Sequence, residues 1–178
     1  LITMLIGTLV TDLLKKWKLS QMTKGYEPKR HKAKEGTPTM GGLIIITASL
    51  TATLLWADMS NHYIWITLFV YLSFACIGFA DDYVKTIKQN PEGLSGRLKF
   101  FLELIVASIA ITLLVVLDKS GVSNILTVPF FKNLALNLSW FYILFGIFVV
   151  VGTSNAVNLT DGLDGLATMP AVTAYAAY

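Results

Sequence analysis

The chain has 178 residues, 54% of them hydrophobic and 14% charged, with a formal net charge of +3 and a mean hydropathy of +0.64. Soluble domains carry about 25% charged residues, so this composition excludes an ordinary soluble globular domain and points to an all-α polytopic membrane protein. A single cysteine, Cys76, excludes a disulfide framework, and no nucleic-acid partner is expected.

A membrane-spanning helix needs about 20 mostly apolar residues. Six segments approach that length. The first covers 1–14 and leads into a long basic connection, 15–40. The second covers 41–57. Its entry is the string KEGTPTMGG (Lys34–Gly42), in which Thr37 suits a helix N-cap and Pro38 a first helical residue. A short turn, 58–62, precedes the third span, 63–80, which closes on GFADDYVK (Gly78–Lys85). The polar connection 81–99 then leads to the fourth span, 100–117. Residues 118–137 are mixed, and the part-apolar pieces NILTVPFF and KNLALNL can pair as a short hairpin at the membrane interface. The fifth span covers 138–153, a connection without basic residues covers 154–165, and the sixth span covers 166–178. The first residue is Leu and the last lies in an apolar run, so the sequence is expected to be part of a longer chain.

Orientation follows from the distribution of Lys and Arg. Connection 15–40 holds eight, connection 81–99 four and connection 154–165 none, against only Lys119 and Lys132 on the other side. The three connections are therefore expected in the cytoplasm and the hairpin 118–137 in the periplasm. Every stretch of unusual composition falls on the cytoplasmic side, which suggests one composite site.

The acidic pair Asp81–Asp82 admits two readings. Lys85 stands four residues after Asp81 and three after Asp82, a spacing that allows an ordinary helical ion pair. Two carboxylates beside a lysine at a membrane surface also suit Mg²⁺, which is commonly held by one or two carboxylates plus substrate phosphates. The GTPTMGG string is either a capped helix start or an anion site, because a helix N-terminus with glycines lets an anion approach the backbone. NAVNLTDGLDGLA (Asn155–Ala167) packs Asn155, Asn158, Asp161 and Asp164 into ten residues. Its Asp-Gly pairs argue for a loop rather than a plain helix. Such a loop can read a base or a sugar, or support a metal; as a plain turn it would explain only Asp164, as a cap. In GLSGRLK, Arg97 and Lys99 are either snorkelling interfacial residues or phosphate ligands. Glu103 stands one turn beyond Lys99 and reads as its structural partner.

In this order and on one side, GTPTMGG, GFADDYVK, LSGRLK and NAVNLTDGLDGLA resemble the family of phospho-N-acetylmuramoyl-pentapeptide transferases, within the polyprenyl-phosphate N-acetylhexosamine-1-phosphate transferase superfamily. The resemblance runs over essentially the whole chain. It implies a ten-helix fold of which about six spans are present. It also implies transfer of phospho-MurNAc-pentapeptide from UDP-MurNAc-pentapeptide to undecaprenyl phosphate, giving lipid I and UMP, with Mg²⁺, in peptidoglycan and cell-wall biosynthesis. By the same resemblance Asp81, Asp82 and Asp161 are catalytic, with Asp81 and Asp82 on the metal. Lys34, Thr39, Lys85, Lys99, Asn155, Asn158 and Asp164 then bind substrate. The expected location is the bacterial inner membrane, among membrane lipids, with room for a homodimer. The family pattern has a further metal-binding Asp and a His-rich loop that have no counterpart in these residues, so residues 1–178 alone are expected to be inactive. Two other readings compete: a sister enzyme that transfers N-acetylglucosamine-1-phosphate to the same lipid, and a cation transporter. The latter fits poorly, because the acids cluster at one surface while transporters bind near the midplane.

Overall fold

The computed structural model describes residues 41–88, 90, 92–118, 121, 124–128, 131, 135–160 and 166–177. The predicted span 1–14, the basic connection 15–40 and the Thr37–Pro38 helix start lie outside the described residues. The chain separates into two compact units, Leu1–Val106 and Ala107–Tyr178.

Helix α1 (Gly42–Trp56) opens on Gly41, which already has helical dihedrals and provides no side-chain cap. The helix is apolar on every side. Its polar side chains do not contradict that: Thr47, Thr51 and Thr53 each donate a hydroxyl to a carbonyl four residues back, at 2.7–2.9 Å. This bonding lets a hydroxyl sit in an apolar helix with its donor satisfied. The turn to α2 is closed by side chains. Asp58 Oδ1 accepts from the Ser60 amide at 3.0 Å and from its hydroxyl at 2.7 Å. Trp65 Nε1 donates to the Met59 carbonyl at 2.9 Å.

Helix α2 (His62–Thr86) starts at Asn61, whose side chain accepts from the Tyr63 amide. It is 25 residues long. The apolar run 63–80 therefore does not end the helix, which continues through Asp81 and Asp82 to Thr86. Helix α3 (Gly96–Leu117) likewise begins before the apolar run 100–117, at a start capped by Ser95: the Leu98 amide donates to Ser95 Oγ at 3.4 Å and the Lys99 amide to the Ser95 carbonyl at 3.1 Å. The polar connection of 81–99 is thus shorter than composition implies, because charged residues form its helical shoulders.

In the second unit, β1 (Ile125–Thr127) and β2 (Ala135–Asn137) pair antiparallel, with Leu126 opposite Leu136. The expected hairpin between the two part-apolar pieces is present. Helix α4 (Phe141–Thr160) follows, and the apolar segment expected to end at 153 runs on as helix to Thr160. Within this unit Gly146 lets α4 approach α3: a Cβ there would meet Ile111 Cδ1 and Cγ2, both at 3.1 Å. Helix α5 (Thr168–Ala177) carries Pro170 in its first turn, where no intrahelical donor is lost.

Among the described helices, α2, α3 and α4 are long and apolar enough to cross a membrane, and α1 is a shorter apolar helix. Large apolar side chains remain uncovered, among them Phe148 and Leu159, the latter 81% exposed. In water such a surface would be a liability. In a bilayer it is the surface lipid or further helices cover.

Candidate active site

The site is built on the last turns of α2. Successive residues on an α-helix are rotated by about 100°, so Asp81 and Asp82 look in different directions although they adjoin. Asp81 shares a face with Lys85, and Asp82 shares one with Ala75, Gly78 and Phe79, at seven, four and three residues back.

Asp81 is 8% exposed and both its oxygens are engaged. Lys85 Nζ donates to Oδ2 at 2.6 Å. The Leu94 amide, thirteen residues away, donates to Oδ1 at 2.8 Å. The loop that brings Leu94 there is folded by its own hydrogen bonds. Asn90 N–H donates to the Val84 carbonyl at 3.3 Å, and Asn90 Oδ1 accepts from the Glu92 amide at 3.2 Å. The Gly93 amide then returns to the Asn90 carbonyl at 3.1 Å. Asn90 supplies both bonds of a side-chain-supported turn, and Gly93 leaves it with φ +67, a left-handed conformation that glycine adopts without cost.

Asp82 is half-buried and faces a groove of about 170 Å³ between α1 and α2, lined by Gly42, Leu43, Ile46, Ala75, Gly78 and Phe79. An added Cβ at Gly42 or at Gly78 would meet nothing within 4 Å. The missing side chains are part of why this space exists. Lys85 and Lys99 lie close enough to bring positive charge to both carboxylates.

The described residues bring Asp81, Asp82, Lys85 and Lys99 into one neighbourhood. Asn155 and Asn158 belong to the second unit. They lie on the last turns of α4, not in a loop, which corrects the expectation drawn from the Asp-Gly pairs: those pairs begin only at Asp161, and Asn155 satisfies its amide within the helix by donating to the carbonyl four residues back. Asn155 Nδ2 donates to the Val151 carbonyl at 2.9 Å, and Asn158 is exposed. Lys34, Thr39, Asp161 and Asp164 lie outside the described residues. Glu103 is buried, at 2% exposure, within α3.

Among the described residues no group of three His, Cys, Asp or Glu side chains comes together. Asp82 suits a hard cation that takes its other ligands from phosphate oxygens and water. Asp81 does not fit that role equally well, because the lysine and the amide already occupy an electron pair on each of its oxygens. The sequence alone presents the two as one pair and does not single out Gly78, Gly93 or the Leu94 amide. The string Asn90-Pro91-Glu92-Gly93 is the signal that could have found the turn, since Asn at its start and Gly at its end are turn-forming residues.

Comparison with known proteins bears on this geometry directly. Residues 63–178 match the family described as glycosyl transferase family 4. Residues 34–46 match the phospho-N-acetylmuramoyl-pentapeptide-transferase signature 1. Its described part includes the groove residues Gly42, Leu43 and Ile46. A phospho-N-acetylmuramoyl-pentapeptide-transferase of Rickettsia prowazekii (strain Madrid E) is 56% identical over 153 residues, which is 86% of this chain and 42% of the relative. That of Rickettsia felis is 59% identical over 143 residues, 80% of this chain and 39% of the relative. That of Rickettsia rickettsii (strain Sheila Smith) is 52% identical over 170 residues, 95% of this chain and 47% of the relative. The chain thus spans less than half the length of these relatives, and on the match over 63–178 it belongs to glycosyl transferase family 4.

Proposed function

We propose that the complete protein carrying this chain transfers phospho-MurNAc-pentapeptide from UDP-MurNAc-pentapeptide to undecaprenyl phosphate. In this reaction a lipid phosphate oxygen attacks the sugar-bearing phosphorus of the nucleotide sugar. The bond to the UMP phosphate breaks, UMP leaves, and the lipid carries a new diphosphate. The observation that carries this reading is the groove in which Asp82 meets Gly42, Leu43 and Ile46, residues of the segment matched by the muramoyl signature. The names of the relatives supply the substrate class.

The chemistry asks mainly for positioning and charge neutralisation. Asp82 offers an open carboxylate that can bind Mg²⁺ or accept the proton of an incoming lipid phosphate. The ammonium of Lys85 has three N–H donors, of which Asp81 takes one, leaving two for phosphate oxygens. Lys99 adds a second positive charge. Asp81 holds Lys85 in place. Mg²⁺, when bound, would neutralise the diphosphate and polarise its phosphorus. Asn155, Asn158, Asp161, Asp164, Lys34 and Thr39 are assigned to the nucleotide and sugar by resemblance to the family. The apolar faces of α2, α3 and α4 agree with an acceptor that enters from the bilayer. The location proposed is the cytoplasmic membrane, with the site on the inner face.

The test is to supply the full-length protein with undecaprenyl phosphate and either UDP-MurNAc-pentapeptide or UDP-N-acetylglucosamine, with Mg²⁺ or EDTA. Release of UMP with a lipid-linked muramoyl product, abolished by EDTA, is the expected result. A lipid-linked N-acetylglucosamine product would select the sister activity. Cation flux in liposomes without UMP release would overturn both.

A further inference from the structure

We propose that Gly93 is a positioning residue of the transfer site: its lack of a side chain lets the loop close on Asp81 and lock that carboxylate, leaving Asp82 as the open member of the pair. Two independent demands meet at this residue. Its φ of +67 is one that L side chains rarely adopt. Separately, a Cβ built there would overlap Asp81 Oδ1, and would lie 2.7 Å from Lys85 Cε and 3.1 Å from Lys85 Cγ. The first demand is common to many turns. The second is particular to this place, because the atoms in the way are the ion pair itself.

The consequence follows from the bonds at Asp81. The Leu94 amide reaches Oδ1 only while Gly93 lies flat against the carboxylate. A side chain at 93 would push the loop away, release that amide, and displace Lys85 from Oδ2. Asp81 would then be free to turn, and the lysine would lose the anchor that aims it. Lys99 would shift as well, since Ser95, one residue past Leu94, caps the helix that carries it. Misplacement of catalytic groups by about 1 Å can cost about 100-fold in rate, so the effect belongs in turnover more than in substrate affinity.

The proposal rests on the transfer reading for its effect on rate, and on geometry alone for the contact with Asp81. The experiment separates the two. Full-length protein would be prepared as wild type, Gly93→Ala, Gly93→Asn, Asp81→Ala and the double variant Asp81→Ala/Gly93→Asn. Asn tolerates the left-handed conformation, so a glycine needed only for φ would be replaced by Asn with little loss. The expected result is that Gly93→Asn, like Gly93→Ala, lowers kcat by about 10-fold to 100-fold while KM for the UDP-sugar stays within about 2-fold. The Tm drop caused by Gly93→Asn should shrink in the Asp81→Ala background, where the carboxylate no longer stands in the way. Wild-type kcat in Gly93→Asn would overturn the proposal, and so would an equal Tm drop in both backgrounds. If the wild type transfers neither sugar but the Tm coupling persists, the activity reading has failed and the latch stands.

Discussion

Asp81 and Asp82 adjoin in sequence and are held in opposite circumstances: the first has Lys85 at 2.6 Å on one oxygen and the Leu94 amide at 2.8 Å on the other, while the second faces the groove between α1 and α2. The pair divides into a fixed member and an available one, and conservative substitutions should separate them. Asp82→Asn keeps the shape and removes the charge that, on the proposed function, meets substrate. Turnover by the full-length protein should fall about 100-fold or more, with Tm within a degree or two of wild type. Asp81→Asn can still accept from the Leu94 amide but loses the ion pair. Lys85 is 43% exposed, so solvent screens that pair and its loss should cost about 1 kcal/mol, read as a lowered Tm alongside reduced turnover.

Gly78 tests whether the groove is used. The space beside it is open, so Gly78→Ala should fold and work nearly as the wild type does. Gly78→Leu would fill the groove next to Asp82. Turnover should drop steeply while Tm holds, which an activity assay and a thermal melt in the same detergent would reveal. Full activity in the leucine variant would show that substrate does not enter here.

Gly146 tests packing in the second unit. With Ile111 side-chain carbons 3.1–3.3 Å from where a Cβ would stand, Gly146→Val should destabilise the protein by about 1–3 kcal/mol through overpacking. Ile111→Ala in the same chain should recover much of that loss. Denaturation of the two single variants and the double would measure the coupling.

Asp58 offers a pH test away from the helices. Hydrogen bonds from the Ser60 hydroxyl and amide hold its carboxyl below the ordinary value of 3.8. A carboxyl depressed by folding stabilises the folded turn above its unfolded value, and that contribution is lost as pH falls through the folded value. Ser60→Ala should move the Asp58 titration back toward 3.8, as followed by NMR of the labelled carboxyl carbon.

Much of this architecture is legible in the sequence because a bilayer demands long apolar runs, and these are plain to see in α2, α3 and α4. The Asp81–Lys85 pair was also legible, since helical spacing alone brings the fourth residue round. Helix ends were less so. An apolar run marks where a helix can meet lipid, whereas the helix itself stops where its hydrogen bonds stop. Asp81 to Thr86, Gly96 to Lys99 and Ser154 to Thr160 are helical for that reason. The contact between Asp81 and Leu94 was hidden for another reason: a backbone amide has no letter in the sequence. Only the turn that delivers it leaves a trace, in Asn90 and Gly93.

The unbroken length of α2 has a mechanical consequence. At about 1.5 Å per residue the helix is a rod of roughly 37 Å, with the Asp58–Asn61 turn at one end and the acidic pair near the other. A tilt of about 5° pivoted at that turn would swing the carboxylates by about 3 Å, the length of a hydrogen bond. Substitutions at Asn61 or Trp65, whose bonds hold that turn, would therefore be magnified at Asp82.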